Sequence, residues 1–174
     1  VVRLKGGDPF VSGRGAEELL VFAHAGVAVE VVPGLTTAVA APEAAGIPVT
    51  HRSMASVFLV LTGQTGEGLN SALAAVRPTS VTVVVMMGLG GRDDIARAFI
   101  ARGWPPDTRA AIVCGASTRE EWIWTGRLAD LGLPAPPDGV AGVLVVGEGV
   151  SIGEALAAAD AQPAEADEVS YGRS

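Results

Sequence analysis

Cysteine, histidine and lysine are almost absent from this chain of 174 residues: it has one cysteine, Cys114, two histidines, His24 and His51, and one lysine, Lys5. A single thiol excludes an internal disulfide framework, and three such donors are too few for a closed zinc site. The expectation is therefore no metal and a reducing, cytoplasmic setting. No apolar run approaches the roughly 18 residues needed to span a bilayer. The opening VVRLKGGDP has neither the charged start nor the long apolar centre of a signal peptide. Positive charge is also short. Lysine and arginine together number 12 against 19 acids, a net charge of −7, so the surface as a whole should repel nucleic acid and anionic lipid. Neither is expected as a partner.

What is abundant is apolar surface. Hydrophobic residues make up 49% of the chain and charged residues only 18%, less than the usual quarter, which argues for a well-buried core and against disorder. The length fits one ordinary domain or two small ones. Because residues 1–4 (VVRL) already read as a buried strand with no initiator methionine before them, the chain is expected to be part of a longer protein.

Hydrophobic periodicity then alternates along the chain. The strand at residues 1–4 runs into a glycine-rich loop over residues 5–15, and AEELLVFAHA follows with helical spacing up to Gly26. AVEVV (28–32) reads as a second strand, ended by Pro33 and Gly34, and TTAVAAPEAAG as a helix capped by threonine and closed by Gly46. Such alternation predicts a parallel sheet with helices on its faces. IPVTHRSMAS (47–56) is the expected hinge between two lobes. Beyond it the pattern restarts with strands at VFLVLTG, VTVVVMMG and RAAIVC, helices at LNSALAAVR and DDIARAFIARG, an antiparallel strand at EWIWTG, and a last strand and helix at AGVLVVGE and residues 152–160. The fold class expected is α/β with a mixed sheet in the second lobe. The division is 1–50 for the remainder of an N-terminal lobe, 51–160 for a C-terminal lobe, and 161–174 for a disordered acidic tail.

The densest chemical signal is LKGGDPFVSGRGAEE. Glycines at the carboxyl end of a strand let backbone approach a ligand, and open α/β sheets bind ligands at that edge. Asp8 there can accept hydrogen bonds from a ligand, or simply close an Asx turn stiffened by Pro9. Phosphate-loop patterns fail: no Gly-Lys-Ser/Thr ending occurs, and Asp93 and Ile152 stand where GLGGRDD and GEGVSI would need the third glycine of a dinucleotide fingerprint. No Gly-x-Ser-x-Gly elbow occurs either.

Taken together, VVRLKGGDPFVSGRGAEE, VVPGLTTAVAAPEAAGIPVTHR, VVVMMG and the final AGVLVVGE resemble the tetrapyrrole methylases, in that order and spacing, over residues 1 to 150. The resemblance is strongest to the branch acting on uroporphyrinogen III. It implies a two-lobed α/β fold with S-adenosylmethionine in the cleft between the lobes and S-adenosylhomocysteine as product. The implied reaction is methyl transfer to carbons 2 and 7 of uroporphyrinogen III, giving precorrin-2 for sirohaem or cobalamin, by a homodimer. A sister enzyme acting on a later corrin precursor, and a chain that binds cofactor weakly without turnover, are the alternatives.

The same resemblance assigns Gly6, Gly7, Asp8 and Val11 to the cofactor loop, Thr36 and Thr37 to its carboxylate and sulfonium end, Met87 to a strand end beside it, and Ala116 to the adenine. Considered alone, Met87 also reads as core packing, the threonines as helix caps, and Cys114 as a small buried residue. Arg14, Glu17 and Arg52 match the substrate side. Eleven of the twelve bases are arginine, which suits bidentate recognition of a polycarboxylate, although Arg14 and Glu17 alone also read as a surface i, i+3 ion pair. Ala16 replaces the second glycine of the family's Gly-Arg-Gly-Gly-Glu-Glu, and Ser12 a larger residue. The family's first strand and its Gly-Pro-Gly-Asp-Pro loop have no counterpart in this sequence. The resemblance implies that the proton-transfer residues belong to that stretch, so no catalytic base is named.

Overall fold

The computed structural model describes residues 1–63, 67–78 and 80–161. Its centre is a five-stranded sheet of β1 (Val57–Thr62), β2 (Val81–Met86), β3 (Arg109–Cys114), β4 (Trp122–Arg127) and β5 (Gly142–Val146), in the order β1-β2-β5-β3-β4. β1 and β2 are parallel, and every other pairing is antiparallel. The sheet is therefore mixed, as the patterning predicts. The run VTVVV is buried at every position of β2 because the strand is central and covered on both faces. Each fully buried valine contributes roughly 1.5–3 kcal/mol.

Register decides what each face holds. Val83 and Val146 are paired, as are Val85 and Leu144, and Ile112 and Leu144, so these side chains fall on one face with Ala110 and Cys114. Helices α3 (Glu67–Ala75) and α4 (Arg92–Ala101) cover that face with Leu69, Leu73, Ile95 and Phe99. Phe99 meets Trp104 edge to face at 4.9 Å between centroids. The other face carries Val84, Ala111, Val113, Val143 and Val145, and is covered by α2 (Thr37–Ala44) and α5 (Val150–Asp160). α2 presents only alanines, Ala38 and Ala41, to the sheet, so its backbone lies close to the strands.

Before α2 the chain forms one helix, α1 (Gly15–His24), and no strand. The strands expected at residues 1–4 and 28–32 are not formed. A strand exists only as part of a hydrogen-bonded ladder, and neither segment has a ladder partner among the described residues. Their valines are consequently exposed, as are Leu20, Val21 and Phe22 on α1. α1, α4 and α5 start and end within a few residues of the expected positions. The expected acidic tail lies outside the described residues apart from Ala161. Among the described residues, no helix is long and apolar enough to cross a membrane.

Candidate functional site

Three chain segments meet at one edge of the sheet. β2 and β3 end there, and β5, antiparallel to both, begins there, so Cys114 lies opposite Gly142. The chain leaves each strand through an unusual turn. Met87 after β2 has φ 56°, and Gly115 and Ser117 after β3 have φ 57° and 63°. For Met87 and Ser117 this left-handed conformation costs of the order of 1 kcal/mol, a strain that collects at ligand sites. Gly115 has no alternative, since a Cβ there would lie 2.7 Å from the Glu120 carbonyl oxygen.

Between these turns and the first turn of α2 lies a cleft of about 520 Å³, within the range of small-molecule sites. Thr37 and Ala41 form one wall. Met86, Met87, Leu89 and Gly90 form the second, and Gly115, Ala116, Thr118, Ala141, Gly142 and Val143 the third. The lining is small and apolar, with few hydroxyls. Of the expected cofactor residues, Thr37, Met87 and Ala116 line this cleft. Met87 is half exposed, so it is no core residue, whereas Cys114 is buried and its thiol pKa is pushed up by that burial, with Arg92 opposing. Thr36 caps α2, its Oγ accepting from the Ala38 N–H at 3.3 Å. Among the cleft residues that sequence reasoning missed, Gly90, Gly115 and Gly142 carry one signal in common: glycines placed where three strands end or begin.

Gly6, Gly7, Asp8 and Val11 do not line that cleft. They form a loop pressed against the bend before α2. Asp8 accepts the Phe10 N–H at 2.8 Å and the Gly34 N–H at 3.1 Å, and these bonds hold its carboxyl below the usual range, the Phe10 bond first. Gly34 is required, because a Cβ there would stand 2.3 Å from the Gly7 carbonyl oxygen. The loop thus meets the bend that carries Thr36 and Thr37 into α2.

On the expected substrate side, Arg14 is the N-cap of α1 with φ 54°, and both it and Glu17 are exposed. They form no ion pair with each other. It is Glu18 that is paired, to Lys5 at 2.6 Å and Arg3 at 3.2 Å, and Lys5 and then Arg3 hold its carboxyl below the usual range. Arg52 lies exposed in the turn closed by His51 and Ala55, at a shallow depression shared with Thr50 and Ser56. His51 Nδ1 takes the Ser53 hydroxyl at 3.1 Å. Among the described residues no cluster of three His, Cys, Asp or Glu side chains could hold a metal ion.

The model of the family described as Tetrapyrrole (Corrin/Porphyrin) Methylases matches residues 1–132. The chain belongs to this family. The chain is 38% identical over 156 residues to the uroporphyrinogen-III C-methyltransferase of Methanocaldococcus jannaschii, covering 87% of the chain and 64% of that protein. It is 44% identical over 133 residues to the sirohaem synthase of Nitrosococcus oceani, covering 75% of the chain and 28% of that protein. Among solved structures, the uroporphyrin-III C-methyltransferase of Thermus thermophilus complexed with S-adenosylhomocysteine superposes with a TM-score of 0.73 at 38% identity, over 87% of the chain and 67% of that structure. The chain therefore spans about two thirds of the single-enzyme relatives and about a third of the sirohaem synthases. Its α/β tetrapyrrole methylase fold agrees with the class expected from the sequence.

Proposed function

We propose that the methylase serves the S-adenosylmethionine-dependent C-methylation of uroporphyrinogen III at carbons 2 and 7, giving precorrin-2. The observation that carries this reading is the cleft at the sheet edge, where Thr37, Met87 and Ala116 come together from three distant parts of the chain. Its dimensions and lining suit a nucleoside: Gly90, Gly115, Ala116 and Gly142 leave a slot with almost no side chains, and Val113 and Val143 supply apolar floor. When bound, the cofactor would supply an electrophilic methyl on a cationic sulfur.

The chain's own residues would do the placing. Thr37 and the Met87 turn both line the cleft, and Asp8 would fix the bend that presents Thr37 through its bond to Gly34. Holding a pyrrole carbon in line with the methyl removes much of the entropic barrier. Arg14 and Arg52, both exposed, are free to take substrate carboxylates in bidentate fashion. No base is assigned to this chain, and Glu17 is the carboxylate closest in sequence to Arg14. The chain is proposed to act as a homodimer of two lobes divided near residue 50.

The test is anaerobic incubation of uroporphyrinogen III and S-adenosylmethionine with the methylase, followed by absorbance. Formation of precorrin-2 is the expected result. Micromolar binding of S-adenosylhomocysteine without product would assign the chain to cofactor binding alone, and a product from a later corrin precursor would assign it to a sister enzyme.

A further inference from the structure

Two walls of the cleft are tied together from behind by one side chain. Arg92 opens α4 directly after the turn Leu89–Gly91. Its guanidinium donates from one terminal nitrogen to the Leu89 carbonyl at 2.9 Å and from the other to the Pro134 carbonyl at 2.7 Å. Leu89 belongs to the second wall of the cleft, and Pro134 to the connection that runs into the third wall at Ala141. That connection is seated on α4 at a second point, since a Cβ on Gly132 would strike Asp93. Nε is buried without an acceptor among the described residues, and the two carbonyls are the hydrogen-bond partners of the group there.

We propose that Arg92 is a positioning residue: by bridging the two carbonyls it fixes the separation of the cleft walls and so sets affinity for the nucleoside, without touching it. The inference rests on reading the cleft as the S-adenosylmethionine site. A planar guanidinium can span two diverging acceptors, and a lysine ammonium, a point charge on a flexible stem, cannot hold both in the same geometry. The Pro134 carbonyl takes no backbone N–H among the described residues, so removal of the Arg92 side chain leaves the connection free to separate from the turn, and the ligand must then order them itself.

The experiment is calorimetry of S-adenosylhomocysteine with the parent chain, Arg92→Lys, Arg92→Ala and, as a control of equal charge change, Arg97→Ala on the exposed face of the same helix. Arg92→Ala should bind about ten-fold more weakly, from the lost preorganisation, Arg92→Lys should be impaired to a similar degree, and Arg97→Ala should match the parent. Adding ethylguanidinium to Arg92→Ala should restore part of the lost affinity, a rescue that general destabilisation would not produce. If Arg92→Lys and Arg92→Ala both bind as the parent does, the bridge has no such role. If Arg92→Ala does not fold, Arg92→Lys alone decides. A parent that fails to bind S-adenosylhomocysteine overturns the reading of the cleft itself, and this proposal with it.

Discussion

Asp8 shows how one carboxylate can serve two loops at once. It receives one N–H from its own turn and one from Gly34, and both bonds require the ionised form. Its pKa is lowered by folding, so its stabilising effect is fully present above the ordinary carboxylate value of about 4 and is lost as pH falls through the lower folded value. The protection factor of the Gly34 amide, taken relative to its intrinsic exchange rate at each pH, should accordingly fall on acidification below about pH 4 in the parent and show no such fall in Asp8→Ala. The same variant should weaken S-adenosylhomocysteine binding while leaving tetrapyrrole binding within a few-fold. Arg52→Ala should do the reverse, and equal loss of both ligands in calorimetry would contradict the division of roles. Gly34→Ala should be destabilising by more than about 1 kcal/mol in chemical denaturation, because the clash is with backbone and no rotamer can relieve it.

At the level of the elements, α5 lies close to the segment that follows α2 because a small residue lets it. Gly153 of α5 stands where a Cβ would approach Ile47 Cγ1 to 2.7 Å and the Ala45 carbonyl to 3.0 Å. Gly153→Val should therefore lower the thermal midpoint by several degrees, whereas Leu156→Ala on the exposed side of the same helix should leave it nearly unchanged. Leu144→Ala, in the middle of β5, should cost about 3 kcal/mol. Such elements were legible in the sequence wherever the deciding physics is local. β2 is announced by five apolar or β-branched residues in a row, α4 by its stripe of Ile95, Ala96 and Phe99, and β4 by an alternation that no helix would show. The segments 1–4 and 28–32 have equally strong β composition and yet form no strand, because pairing depends on a neighbour and composition does not supply one. The site follows the same division. Thr37, Met87 and Ala116 were legible through their motifs, while Leu89, Gly90 and Gly142 were not. What joins them is the antiparallel insertion of β5, which sets the start of one strand beside the ends of two others.

Over the whole molecule, the net charge of −7 sets a condition on binding a polycarboxylate. Attraction must come from local arginines against a repulsive background. Raising salt screens both, the longer-range repulsion first. Affinity for the tetrapyrrole should thus fall less steeply with ionic strength in the parent than in a variant whose acidic residues far from Arg52, such as Asp93 and Asp94, are changed to asparagine, and titrations at two salt concentrations would read this directly. The strand order carries a different kind of consequence. β5 sits between β2 and β3 although it is nearly the last element in the chain. Without β5, β2 and β3 have no strand between them, so the pairs β1–β2 and β3–β4 would each keep a bare inner edge. On the ribosome the nascent chain would wait as two open half-sheets, and closure by the late strand would be the slow step, one that a chaperone guarding free edges would be well placed to protect.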